Sequence, residues 1–179
     1  NLCNGATSAD TAPALLAYGA KLQLKGPGGL ETLDIADFYL GPGQVKLGHN
    51  QILYRILVEK ADYQDYQGAY LKYAMRNAMD ISTLGVAVLV KLSQDRQCLA
   101  DLRIALGVAA PTPIRVPKTE AALKGKGLAE AQSLIADLVR EEIQPRDSWR
   151  ASRAFRLQIA GENARRALGQ AINSGGGQG

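Results

Sequence analysis

The first ten residues, NLCNGATSAD, gather hydrogen-bonding side chains without apolar periodicity and run straight into a segment that reads as a helix. Ser8 or Asp10 is placed to cap that helix by accepting from an orphan backbone N–H. Pro13 falls in or near the first turn, where a missing N–H is tolerated. Gly19, just past Leu15, Leu16 and Tyr18, is a natural stop. A loop rich in Gly, Ser, Thr and Asn ahead of a helix N-terminus also makes an anion cradle, because free N–H groups and the positive end of the helix dipole point outward together. Two readings stand side by side: a loop that holds a phosphate, and an ordinary capped helix.

Other chemistry-bearing residues are sparse. The single histidine, His49, sits in the turn-like LGHNQ, with none of the partners beside it that a general base needs. Cys3 and Cys98 lie far apart without CxxC or Cys/His companions, so neither a disulfide framework nor a zinc site is supported. Lys72, in YLKYAMR, reads on its own as an exposed strand lysine. Arg146, Arg150, Arg153 and Arg156 recur at helix-compatible spacing around Trp149. They form either a solvated helix face or a docking surface, where Trp and Arg are enriched. A net charge of +4 permits weak attraction to phosphate, but no nucleic-acid-binding module is visible, so no nucleic-acid partner is expected. There is no apolar run of about 18 residues and no signal-peptide pattern, which predicts a cytoplasmic chain without a membrane partner.

The elements that must position these residues follow from periodicity. A chain of 179 residues can build one full core or two small ones. After the first helix, Leu22 and Leu24 alternate with Lys21, Gln23 and Lys25, giving a strand, a Gly/Pro turn and a second strand. A Gly-Pro-Gly turn and a β-rich run from Ile52 to Val58 complete an α+β first part. The polar stretch KADYQDYQG marks a boundary at Lys60 to Gly68. Beyond it, AYLKYAMRN, DISTLGVAVLVKLS and CLADLRIALGVAA predict a three-stranded antiparallel meander, with QDRQ as a hairpin loop. From Pro117 the period becomes helical. Leu128, Ala131, Leu134, Ile135, Leu138 and Val139 share one face, and Leu157, Ala160, Ala164, Ala167, Leu168 and Ala171 share another. Both amphipathic helices need a surface to cover, and the sheet is the available one.

Five ordered strings are not explained by periodicity: NLCNGATSADTAPALLAYGAKL, YLGPGQ, LKYAMRNAMDISTLGVAV, LRIALGVAAPTPIR and SWRASRAFR. Together they resemble the FAD-binding (medium) subunits of bacterial molybdenum hydroxylases of the xanthine dehydrogenase and carbon monoxide dehydrogenase type, from Asn1 to about Ile172. The resemblance implies the C-terminal part of such a subunit, with Asn1 a truncation point inside the flavin domain, because two glycine-rich segments that cradle the FAD diphosphate in that family have no counterpart here. It divides the chain into residues 1–60, the C-terminal portion of an FAD-binding α+β domain, residues 67–173, a C-terminal domain of antiparallel sheet plus helices, and a flexible tail, 174–179.

Carried over position by position, the resemblance makes Asn1, Cys3 and Asp10 part of the loop and helix start lining the diphosphate and ribityl region, with Cys3 acting mainly through its backbone. Leu53 would pack near the isoalloxazine ring, or else be a strand residue pointing into the core. Lys72 would stand beside the flavin, where a fixed ammonium would raise the reduction potential. Implied partners are a molybdopterin large subunit, an iron–sulfur small subunit, the N-terminal half of the flavin domain, and NAD. The implied activity is that of an oxidoreductase subunit passing electrons from iron–sulfur clusters through FAD to NAD+ or another acceptor. The alternative is a subunit-docking fragment without FAD binding of its own.

Overall fold

The run LGVAVLV admits only apolar or small side chains on both of its faces, the pattern of a strand covered on either side. The computed structural model describes residues 1–174 and places that run at the centre. The linker-like tail lies outside the described residues from residue 175 onward.

In chain order, a one-turn 3-10 helix (Leu2–Asn4) leads to α1 (Thr11–Ala17), then to strands β1 (Lys21–Gly26) and β2 (Gly29–Asp34). Two short strands, β3 (Tyr39–Gly41) and β4 (Gln44–Val45), flank the Gly-Pro-Gly turn, and β5 (Ile52–Leu57) returns to pair with β1. The resulting sheet has the order β2-β1-β5 and is antiparallel throughout. Gly19 ends α1 with φ +61, a left-handed conformation that costs glycine least. A short helix, α2 (Lys60–Tyr63), occupies the polar boundary stretch, whose last residues already belong to β6 (Gln67–Tyr73).

The expected meander forms from β6, β7 (Leu84–Leu92) and β8 (Leu99–Gly107), with a two-residue strand β9 (Ile114–Arg115) added at its edge. The APTPIR connection is therefore extended as its prolines require, and its end joins the sheet. The rest is helical: α3 (Pro117–Leu123), α4 (Leu128–Glu142) and α5 (Arg153–Ser174).

Register decides which side chains meet. Val86, Val88 and Val90 pair with Leu106, Ile104 and Leu102 on one face of the central sheet. There they join Ile135 and Val139 of α4 and Ala160, Ala164 and Leu168 of α5 in one buried cluster. The opposite face, carrying Ala87, Leu89 and Ala105, receives α1 through Ala12, Leu16 and Ala17 in a second cluster. Small side chains on that face let α1 lie close, while branched ones fill the thicker helical side. On α4, Ala131, Ile135 and Val139 are buried as the stripe predicts, but Leu134 lies at its margin and is exposed.

Two carboxylates inside the fold are matched by donors, whereas the Tyr39, Ser82 and Thr83 hydroxyl oxygens are buried without a partner. The carboxylate of buried Glu120 accepts from the Ile104 backbone N–H at 2.8 Å and from both Nε and Nη2 of Arg115 at 3.0 and 2.6 Å. Glu142, at the end of α4, accepts from the first backbone N–H groups of α3 at Lys118 and Thr119, so one helix end caps another.

Candidate functional site

The amino-terminal loop is built from backbone contacts. Gly5 adopts φ +61 after the 3-10 turn, and its carbonyl accepts from the Gly43 N–H at 3.0 Å, fastening the loop to the Gly-Pro-Gly turn. A Cβ at Gly5 would meet Gln44 N at 2.7 Å, so the close approach itself demands glycine. The Thr7 carbonyl accepts from Val108 N–H, just beyond β8, which ties the same loop to the central sheet. Ser8 and Asp10 do not cap α1 through their side chains. Asp10 is drawn away by a stronger partner.

That partner is Lys72. Its Nζ lies 2.8 Å from Asp10 Oδ2 and also donates to the Asp80 carbonyl at 2.7 Å. Tyr70, two residues earlier on the same face of β6, directs its hydroxyl at Asp10 Oδ1 across 3.4 Å. Gly85 makes room for this: a Cβ there would sit 2.6 Å from the Tyr70 hydroxyl oxygen. Burial first, and then the Asp10 charge, push the Tyr70 phenol well above its ordinary range, so it stays a neutral donor. Asp80 anchors the following loop by accepting from the backbone N–H groups of Arg76 and Ile81 at 2.9 and 2.8 Å. Burial pushes its carboxyl up, but these donors and the Arg76 guanidinium hold it below the usual carboxylate range.

Next to this pair lies a groove of ≈ 740 Å³. Leu15, Tyr18, Leu53 and Ile56 give it an apolar wall, and Asn1, Asn4 and Thr11 give it a polar end. The Thr11 hydroxyl donates to Asn1 Oδ1 at 2.7 Å, so the first turn of α1 orients the Asn1 amide. Cys3 also lines the groove; it is a free thiol.

The five residues singled out from sequence thus fall into two adjacent groups. Asn1, Cys3 and Leu53 line the groove, whereas Asp10 and Lys72 pair with each other beside it, with α1 starting between them. Leu53 packs against the α1 core cluster, as a strand residue facing the core would, and also lines the groove. Tyr70 escaped sequence reasoning, and so did the contact that the Asp80 carbonyl makes with Lys72. The i, i+2 spacing of Tyr70 and Lys72 on one strand was a usable signal for the first; the Asp80 contact is made by backbone and left none.

His49 lies exposed in a turn. Among the described residues no group of His, Cys, Asp and Glu could hold a metal ion, and no helix is long and apolar enough to cross a membrane. The arginines around Trp149 do not form a helical face as their spacing predicts. Residues 146–152 are an irregular loop closed by a Ser148–Ala151 bridge, because Asp147 and Ser152 accept from the N–H groups of Arg153 and Phe155 and start α5 only there. Arg156 points inward and is buried.

Residues 69–171 match the family described as CO dehydrogenase flavoprotein C-terminal domain, and residues 1–59 match the FAD binding domain in molybdopterin dehydrogenase. The chain is 40% identical over 179 residues to the xanthine dehydrogenase FAD-binding subunit of Escherichia coli O157:H7, covering 99% of this chain and 61% of that protein. It is 32% identical over 161 residues to the carbon monoxide dehydrogenase medium chain of Hydrogenophaga pseudoflava, covering 89% of this chain and 55% of that one. The solved carbon monoxide dehydrogenase from the same organism, in a form lacking the Mo-pyranopterin moiety of the molybdenum cofactor, superposes with a TM-score of 0.85 at 29% identity. That match covers 95% of this chain and 58% of the matched chain. The chain therefore spans less than two thirds of the relatives' length.

Proposed function

Because the chain belongs to the CO dehydrogenase flavoprotein C-terminal domain family, we propose that it is the FAD-binding component of a molybdenum hydroxylase of the xanthine dehydrogenase type. The observation that carries this reading is the apolar-walled groove with an amide and hydroxyl end, set beside the Asp10–Lys72 pair. The donor set fits the group: a flat ring needs an apolar wall, and a polyhydroxyl chain needs acceptors and donors such as Asn1, Asn4 and Thr11.

FAD, when bound, supplies electron exchange between one-electron iron–sulfur donors and a two-electron acceptor such as NAD+. The chain's own residues bind and orient. Leu53 and Ile56 offer a flat contact that keeps water from one side of a ring. Asn1, fixed by Thr11, presents an amide to sugar or ribityl hydroxyls. Cys3 contributes through its backbone. Asp10, the hydrogen-bond acceptor of the set, also balances the Lys72 ammonium, so the field at the groove is set by a pair. The N-terminal half of the flavin domain completes the site, and a molybdopterin large subunit and an iron–sulfur small subunit deliver the electrons within a cytoplasmic complex.

Flavin titration by fluorescence quenching tests this, with the chain alone and then with the N-terminal half of the flavin domain added. Saturable binding is expected in the second run, weakened about tenfold by Lys72→Met, on the scale of one charge-assisted hydrogen bond. Absence of binding in both runs, with the chain folded, would remove the flavin assignment.

A further inference from the structure

Two segments distant in sequence, residues 73–83 and 146–156, come together at the start of α5. Tyr73 and Phe155 stack edge to face with ring centroids 5.5 Å apart. Buried Arg156 donates to the Thr83 carbonyl, the Arg146 carbonyl and the Ser148 hydroxyl, clamping both loops to one helix turn. The face so assembled is apolar where solvent would ordinarily require polarity. Met79 is 95% exposed, Trp149 79% and Met75 65%, and Ile81, Tyr73 and Phe155 are exposed as well. Met79 also holds φ +51, a left-handed backbone that a long side chain adopts at a cost.

Charge on this face is one-sided. Buried Arg156 aside, the two segments carry four guanidinium groups, Arg76, Arg146, Arg150 and Arg153, against two carboxylates, Asp80 and Asp147. Among the described residues Arg146, Arg150 and Arg153 have no carboxylate within ion-pair distance, unlike the arginines of the helix further along, Arg165 and Arg166, which share Glu162. Arg150 stacks on the Trp149 ring at 4.2 Å from its centroid, which stiffens both side chains before any contact is made. Exposed Met, Trp and Arg around an ordered aromatic core form the composition of a binding hot spot, and unpaired cations select a partner of opposite sign.

We propose that this face docks a partner protein whose complementary surface is acidic around an apolar recess that receives Trp149. The inference rests on the reading of the chain as one component of a multi-subunit hydroxylase, and it names the face and the partner's chemistry. The test is co-expression of the complete flavin subunit with its molybdopterin and iron–sulfur subunits, carrying Trp149→Ala, Arg150→Glu or, as a control apolar change elsewhere, Leu134→Ala. Retention of each partner is read by size exclusion at low and high salt, and bound FAD by absorbance. Trp149→Ala and Arg150→Glu should each cut retention at least tenfold with FAD content and Tm unchanged, whereas Leu134→Ala should not. Loss of partners by Trp149→Ala in a subunit that carries no FAD would support the docking face and remove the flavin reading. Equal retention in all variants with FAD bound, or a wild-type subunit that purifies alone, would overturn the docking face. Tight binding of this face to a short DNA duplex in place of the partner subunits would overturn it too.

Discussion

The two larger sheets of this molecule, β2-β1-β5 and β6-β7-β8-β9, treat water differently. The central sheet has both faces covered, one by α4 and α5 and the other by α1, and seven successive residues of β7 are buried. The β2-β1-β5 sheet has one covered face: β1 alternates buried Leu22 and Leu24 with accessible residues, while β2 and β5 are largely exposed. Ile52, Tyr54, Ile56 and Leu57 of β5 stand in or near solvent. The doubly covered sheet holds the molecule together, and the singly covered one presents a surface on which something else can lie.

The contrast is broken most sharply by truncation. Leu168→Ala, on the α5 stripe, should cost about 3 kcal/mol, because a buried leucine leaves a cavity the helices cannot close. Ile52→Ala, on β5, should change stability by no more than about 0.5 kcal/mol. Urea unfolding of both variants compares the two sheets directly, and equal losses would refute the distinction. A smaller effect tests the clamp at the edge of the covered sheet. Arg156→Met should cost about 2 kcal/mol by orphaning the Thr83 and Arg146 carbonyls. Its fluorescence signature, a red or blue shift of the single tryptophan as the 146–152 loop loosens, separates it from a simple loss of packing.

The smallest effect belongs to the solvent side of α5. Arg165 and Arg166 both bond Glu162 and hold its carboxyl down from 4.5 to about 2. A depressed carboxylate adds stability that is fully present above its unfolded value and disappears as pH falls through the folded one. Glu162→Gln should therefore lower Tm slightly at neutral pH, with the difference shrinking between pH 4.5 and about 2. The group is partly solvated, so the shift stays small.

Much of the covered sheet was legible from periodicity. The meander, the onset of helix at Pro117, the bounds of α4 and the α4 and α5 stripes follow from apolar spacing because burial on a regular element imposes that spacing. Leu134 shows the limit: a stripe gives a face but not the angle at which the neighbouring helix ends. The α1 packing on the back of the sheet was not legible, since Ala87 and Ala105 carry no pattern of their own and simply permit approach. In the candidate site, Asp10 and Lys72 were found through family motifs, but their pairing depends on a strand from beyond the polar boundary crossing α1. The arginine loop was misread as helix because spacing near four residues also arises in an irregular turn whose ends are tied by Ser148 and Asp147.

The seat of α1 on the central sheet has a consequence for how this chain divides. The polar stretch at 60–68 marks a seam in the sequence, but Ala12, Leu16 and Ala17 cross that seam to bury Ala87, Leu89 and Ala105. Made separately, the segment after the seam would carry a wet, sticky back face and the segment before it a helix with nothing to rest on. The two should therefore melt as one body, in a single calorimetric transition, and stay associated after a protease cut at the seam.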